Sequence, residues 1–271
     1  MLNTIYTVTA SLVFLIMYSW GLNSDIPVNN FSQVQSEQLN VEYLAHASFL
    51  LDYNGTTILL DPFADKVWIG YSFPAGVTAD AIFSTHPHYD HDGGLFRDYE
   101  PYWKGKIPLY QDAGNYSIGL FKITGFIGKH SEPYGKEFGQ KNTIWMIEAG
   151  NTRVLHWGDN GPVDSDLLKK FGRVDILMIP MDSTYHILKK DETESMIKAI
   201  NPKIIVPMHY KHPDLEEGPG HPKNLGPIEP VLEGNESVEW LQSNTFEFND
   251  LSGFNGQKYI VFQHSPDIKK E

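Results

Sequence analysis

Three histidines and an aspartate stand within six residues, His86-Pro87-His88-Tyr89-Asp90-His91, directly after the apolar run Ala81 to Ser84. A strand that ends in such a segment must deliver its end to a pocket, because clustered imidazoles and carboxylates are costly to bury unless they bind something together. In extended backbone His86 and His88 point to the same side and can share one metal ion. Asp90 and His91 then turn toward a second position, where Gly93-Gly94 allows close packing. The chain has no cysteine, which excludes disulfides, thiolate metal sites and cysteine nucleophiles. Any metal must therefore be held by nitrogen and oxygen, and the 11 histidines become the residues to follow.

Short apolar runs separated by turn signals predict strands at Val41 to Leu44, Ser48 to Asp52 and Thr57 to Leu60, with Asn54-Gly55 marking a hairpin between the last two. Further strands are predicted at Ala81 to Ser84, Ile107 to Tyr110, Ile118 to Ile123, Thr143 to Ile147, Arg153 to His156, Ile176 to Pro180 and Ile204 to Met208. Helical spacing occurs at Val163 to Phe171 and Glu192 to Ile200. Strands in both halves with helices interspersed late in each predict two mixed sheets packed face to face, helices outside. The stretch from Lys211 to Asn235 holds five prolines and four glycines, a length and composition suited to a lid or an insert.

Residues 1–24 carry no charged side chain until past Ser24, and Ile5 to Met17 is mostly apolar, which predicts a signal peptide or a membrane anchor. The n-region lacks Lys and Arg, and the first basic residue is Lys66, so charge gives no orientation. Residues 25–37 look like a linker, leaving 38–271 as one domain. The expected location is accordingly exported, periplasmic or secreted, or membrane-anchored, with membrane or lipid proximity as one alternative. With 21 basic against 34 acidic side chains the net charge is −13, which excludes nucleic acid as a general partner and favours a small-molecule substrate.

The pattern His86 to His91 resembles the signature of the metallo-β-lactamase superfamily. Ala45-His46-Ala47-Ser48 and Leu59-Leu60-Asp61-Pro62 resemble its first strands, and Lys129-His130-Ser131, His156-Trp157-Gly158-Asp159 and Val206-Pro207-Met208-His209-Tyr210 resemble its later motifs. The resemblance spans about residues 38–212 and is nearest the branch of ascorbate-6-phosphate lactonase-like and N-acylphosphatidylethanolamine phospholipase D-like proteins, through Ile179-Pro180-Met181-Asp182 and Pro202-Lys203. Asp92-Gly93-Gly94 departs from the phospholipase D-like turn and leaves the substrate class open. The resemblance implies an α+β, four-layer αββα sandwich. It also implies one metal on His86, His88 and His130, a second on Asp90, His91 and His209, and Asp159 bridging them. Two divalent ions, zinc first with manganese or iron as alternatives, would lie about 3.5–4 Å apart, generate hydroxide near neutral pH and polarise the scissile group. Asp90 and Asp159 are then the catalytic carboxylates, Asp90 orienting the hydroxide and taking its proton.

Around this set, His46 is a candidate for supporting contacts to the site, and Asp61 for fixing the histidine loop. Asp182, Tyr185 and His186 are candidates for lining the pocket. His156 is expected to point into the sheet without a ligand role. His212 and His221 are expected to be solvated, and His264 carries no signal. Trp68, Tyr71, Phe73, Tyr99, Tyr102 and Trp103 flank the motif and could wall an apolar pocket. The predicted activity is metal-dependent hydrolysis of a small ester, lactone or phosphodiester, in the manner of a phosphodiesterase or lactonase. Competing readings are a β-lactam-type amide hydrolase, a catalytically silent metal-containing binding protein on the same fold, and a di-iron redox enzyme. The last would usually need a flavin-binding partner domain that this chain cannot accommodate.

Overall fold

Asn54 and Gly55 take positive φ of 54° and 77°, the conformation a two-residue hairpin turn demands, and join two antiparallel strands as the sequence predicts. The computed structural model describes residues 38–64, 69–92, 104–131, 141–214, 225–249, 251 and 253–270. The predicted signal segment and linker, Gly93-Gly94, His221, Trp68, Tyr99, Tyr102 and Trp103 lie outside the described residues.

The first sheet holds β1 (Leu39–Ala45), β2 (Ser48–Tyr53), β3 (Thr56–Leu60), β5 (Ala81–Phe83), β6 (Leu109–Tyr110) and β14 (Thr245–Phe248), in the order β14-β1-β2-β3-β5-β6. The second holds β7 (Asn115–Ile118), β8 (Phe121–Lys129), β9 (Lys141–Ala149), β10 (Thr152–His156), β11 (Ile176–Pro180), β12 (Ile204–Met208), β13 (Val238–Trp240) and β15 (Lys258–Val261), ordered β13-β15-β12-β11-β10-β9-β8-β7. Both are mixed. β3, β5 and β6 run parallel beside the antiparallel meander β1-β2-β3, and β10, β11, β12 and β15 run parallel beside the meander β7 to β10.

The sheets meet through large aromatic side chains. Phe83 of β5 stands edge-on to Trp145 of β9 at 5.0 Å between ring centres, and Tyr53 of β2 meets Phe121 of β8 at 5.8 Å. Each fully buried ring of this kind contributes about 1.5–3 kcal/mol by leaving water. Alternate residues Leu44, Leu59 and Ile82 form a second cluster with Phe63, Ile69, Tyr71, Phe73 and Ile268. Tyr71 and Phe73 are packed in this cluster against Phe63. β4 (Tyr71–Ser72) pairs with β16 (Lys269–Lys270) there.

The helices α2 (Ser165–Phe171) and α3 (Lys190–Ile200) match the predicted ones closely. Asp164 caps α2 by accepting from the N–H groups of Asp166 at 3.0 Å and Leu167 at 2.8 Å, so the helix starts two residues after Val163. Phe171 of α2 packs against Phe126 of β8 at 5.1 Å. The run Ile118 to Ile123, expected as one strand, is instead a hairpin: the chain turns at Gly119, φ 53°, between β7 and β8. A side chain at 119 would collide with Thr56 in addition to being strained. Within Lys211 to Asn235 the described parts are tied down, Lys211 donating to the Gly226 carbonyl at 2.8 Å ahead of a short helix α4 (Glu229–Leu232).

Candidate metal centre

Ligand-bearing turns follow the C-terminal ends of strands from both sheets, and all open on one point. His46 follows β1, Asp61 follows β3, His86 to His91 follow β5 and lead into a single turn of helix, α1 (Tyr89–Asp92). His130 follows β8, Asp159 follows β10 and His209 follows β12. His46, Asp61 and His209 have positive φ of 58°, 40° and 62°, as does Tyr185 at 54°. Left-handed backbone is uncomfortable for such residues and is held where it aims a side chain. The backbone itself is stitched across the centre: the His209 N–H donates to the His46 carbonyl at 2.6 Å.

Two donor groups result, joined by a third of His86, His91 and Asp159. His86, His88 and His130 have ligand atoms within 4.8 Å of one another, and so do His46, Asp90, His91 and His209. Asp159 lies between them, Oδ2 being 3.5 Å from His130 Nε2 and 3.3 Å from His209 Nε2, and Oδ1 3.3 Å from His91 Nε2. The structure therefore brings together all seven residues of the predicted ligand set and adds His46, whose Nε2 is 3.0 Å from Asp90 Oδ2.

Asp61 organises the support. Its Oδ2 is 2.9 Å from His91 Nδ1 and 2.8 Å from His156 Nε2, and it accepts from the Thr85 hydroxyl at 2.9 Å, while Oδ1 accepts from the Thr85 N–H at 2.7 Å. Holding Nδ1 fixes the tautomer of His91 and leaves Nε2 for a ligand. His130 is held likewise, Nδ1 donating to the Ser131 carbonyl at 2.8 Å. His156 is fully buried on Asp61 and takes no place in either donor group.

The electrostatics ask for a cation. Burial alone would raise the carboxyls of Asp90 and Asp159, yet the surrounding histidines hold both well below the usual carboxylate range. Burial drives His86 well down and, with His209 beside it, His46 to about 3, so these imidazoles are neutral donors. Burial opposes charge on His91 too, but Asp159, Asp90 and Asp61 outweigh it and push its pKa well up. His91 Nε2, His130 Nε2 and Asp159 Oδ1 are buried and make no hydrogen bond of acceptable angle, as expected of atoms aimed at a common metal. The donor set of imidazole and carboxylate fits divalent ions such as zinc, manganese or iron.

Tyr185 and His186 line a cleft next to His130. Asp182 does not line it; its carboxylate accepts from the Thr184 hydroxyl and from the Gly226 N–H at 2.6 Å, and stands 3.6 Å from His186 Nδ1. The His186 ring in turn packs 4.9 Å from that of His209. His212, expected to be solvated, is buried, its ring 4.4 Å from His264, because the chain after His209 folds back under the C-terminal segment. Sequence reading missed Thr85, Asn142 and Asn160. Asn142 Oδ1 accepts from the Asp159 N–H at 3.1 Å and Asn160 Oδ1 from the Lys129 N–H at 2.6 Å, fixing two ligand loops. Thr85 adjoins the histidine motif and so carried a signal; the two asparagines carried none.

Among known proteins, residues 40–209 match the family described as Beta-lactamase superfamily domain. A metal-dependent hydrolase of Carboxydothermus hydrogenoformans is 27% identical over 203 residues, 64% of this chain and 84% of that protein. The crystal structure of a Zn-dependent hydrolase of the metallo-beta-lactamase superfamily from Thermotoga maritima superposes with a TM-score of 0.62 at 25% identity, covering 84% of this chain and all of that one. A metal-dependent hydrolase from Parabacteroides distasonis, 19% identical and with a TM-score of 0.51 over 84% of this chain and 94% of that one, has the same fold. The matched span takes in His46 through His209, every loop that converges on the centre, and the chain belongs to the beta-lactamase superfamily.

Proposed function

We propose that this metal-dependent hydrolase holds two divalent metal ions, zinc in the first instance, and cleaves a small ester, lactone or phosphodiester. The observation that carries the reading is the pair of donor groups sharing Asp159: three histidines on one side, and Asp90, His91 and His209 with His46 on the other. Metal ions held by these residues supply Lewis acidity to polarise a carbonyl or phosphoryl oxygen and lower the pKa of water toward neutrality. The protein supplies the rest. Asp90, kept ionised by its histidine neighbours and oriented by His46 Nε2, is the acceptor for a proton from the attacking water. Asp61 and Thr85 hold the histidine loop so that the donors do not need to reorganise during turnover.

Asp90→Asn tests the reading. It should lower kcat by about 10²–10⁴-fold while part of the metal is retained, because the amide keeps the shape but not the base. His86→Ala should lose metal together with activity. The assay panel is a phosphodiester, a lactone and a β-lactam; substantial turnover by a metal-free His86→Ala/His88→Ala variant would refute the mechanism, and a wild type loaded with metal but inert on the panel would favour a binding role or another substrate.

A further inference from the structure

A cleft of about 370 Å³ opens from His130 between the end of β8 and the turn leading into α3. Lys129 and Lys189 stand on its two sides, and neither ammonium forms an ion pair among the described residues. The acidic side chain lining it among the described residues, Glu192, is already engaged: its Oε2 accepts from the Lys189 backbone N–H at 2.9 Å and closes the first turn of α3. A third group points to a ligand. Ser131 lines the cleft, is only 6% exposed, and its Oγ is buried without a hydrogen bond. A hydroxyl in that state is costly unless something in the cleft bonds to it. Its backbone is fixed on both sides, the N–H donating to the Asp159 carbonyl at 2.9 Å and the carbonyl accepting from His130 Nδ1 at 2.8 Å, so the hydroxyl stands in register with a metal-ligand loop.

On this basis, and resting on the metal centre as proposed above, we infer that Lys129, Ser131 and Lys189 form a subsite for an anionic oxygen group of the substrate, a carboxylate or a phosphate, next to the scissile bond. Two ammonium groups and a hydroxyl donor match such a group in charge and in hydrogen-bonding capacity. The chain's net charge of −13 does not oppose this, because distant charges are screened beyond about 8–10 Å whereas the lysines act at contact. The cleft on the other side of His86 offers no equivalent, since Lys141 is accompanied there by Asp112.

The test uses the full-length, metal-loaded protein and equilibrium binding by calorimetry, so that it does not depend on turnover. Dicarboxylates from malonate to adipate are compared with monocarboxylates of the same length, and 3-phosphonopropionate with succinate. The carboxylate common to each pair goes to the metal centre, and the second anionic group reports the subsite. At one chain length the second charge should tighten binding about tenfold. Lys129→Met/Lys189→Met should abolish that gain, Ser131→Ala should reduce it, and both should leave monocarboxylate binding and metal content unchanged. A gain larger for phosphonate than for carboxylate assigns the subsite to phosphate; the reverse assigns it to carboxylate. A second charge that adds nothing in the wild type, or a gain that survives in the double lysine variant, overturns the inference. Loss of the metal centre would show separately, in metal content and monocarboxylate binding.

Discussion

Asp61 never enters either donor group, yet it meets His91, His156 and Thr85 at 2.7–2.9 Å and decides how the histidine loop presents its ligands. Asp61→Asn keeps the volume but replaces one acceptor with a donor, so the Thr85 N–H on one oxygen and the two imidazoles on the other can no longer all be satisfied. Metal affinity should fall about 10–100-fold in a chelator competition, with the circular dichroism spectrum unchanged; wild-type affinity would show that the loop holds itself. His46→Ala should weaken the second donor group, which contains it, more than the first, read as selective loss of one equivalent of metal. Loss of both equivalents together, or of none, would contradict that division. At this scale the sequence is most legible where ligands are local. His86 to His91 announce themselves by density, and Asp61 by position after an apolar run. The left-handed backbone of His46 and His209 was not legible, because it arises from two distant turns packing together through the His209 N–H and His46 carbonyl.

β8 carries His130 into place by a contact that leaves no room for a side chain. A Cβ on Gly128 would stand 2.0 Å from Asn160 Oδ1, the atom that accepts the Lys129 N–H. Gly128→Ala should therefore cost about 1–3 kcal/mol and lower Tm by several degrees. Gly161→Ala, whose Cβ would meet nothing closer than 3.6 Å, is the control and should change Tm by little. Equal effects in the two variants would mean that the Asn160 contact is not what positions the strand. Helices and central strands could be read from their periodicity, as at Leu167 and Leu168, whereas the Asp164 cap that sets the start of α2 was not. The turn at Gly119 was hidden because Ile118, Leu120 and Phe121 make a continuous apolar run. The strands β13, β14 and β15 went unread: β14 alternates weakly and owes its existence to pairing with β1, about two hundred residues away.

Across the whole molecule, two sheets built from separate parts of the chain meet at the metal centre, so a bound metal links their strand ends. Metal that binds the folded state only must raise stability by mass action. Chelation of the purified protein should lower Tm on the order of 10 °C and re-addition of zinc should restore it; an unchanged Tm would mean that the centre adds nothing to the fold. Metal content by elemental analysis on the purified wild type, read together with turnover on the phosphodiester, lactone and β-lactam panel, tests the metal centre and its chemistry at once. About two divalent ions per chain and hydrolysis that rises with occupancy are expected; no bound metal, or hydrolysis undiminished after its removal, would rule out a metal-dependent reaction at this centre.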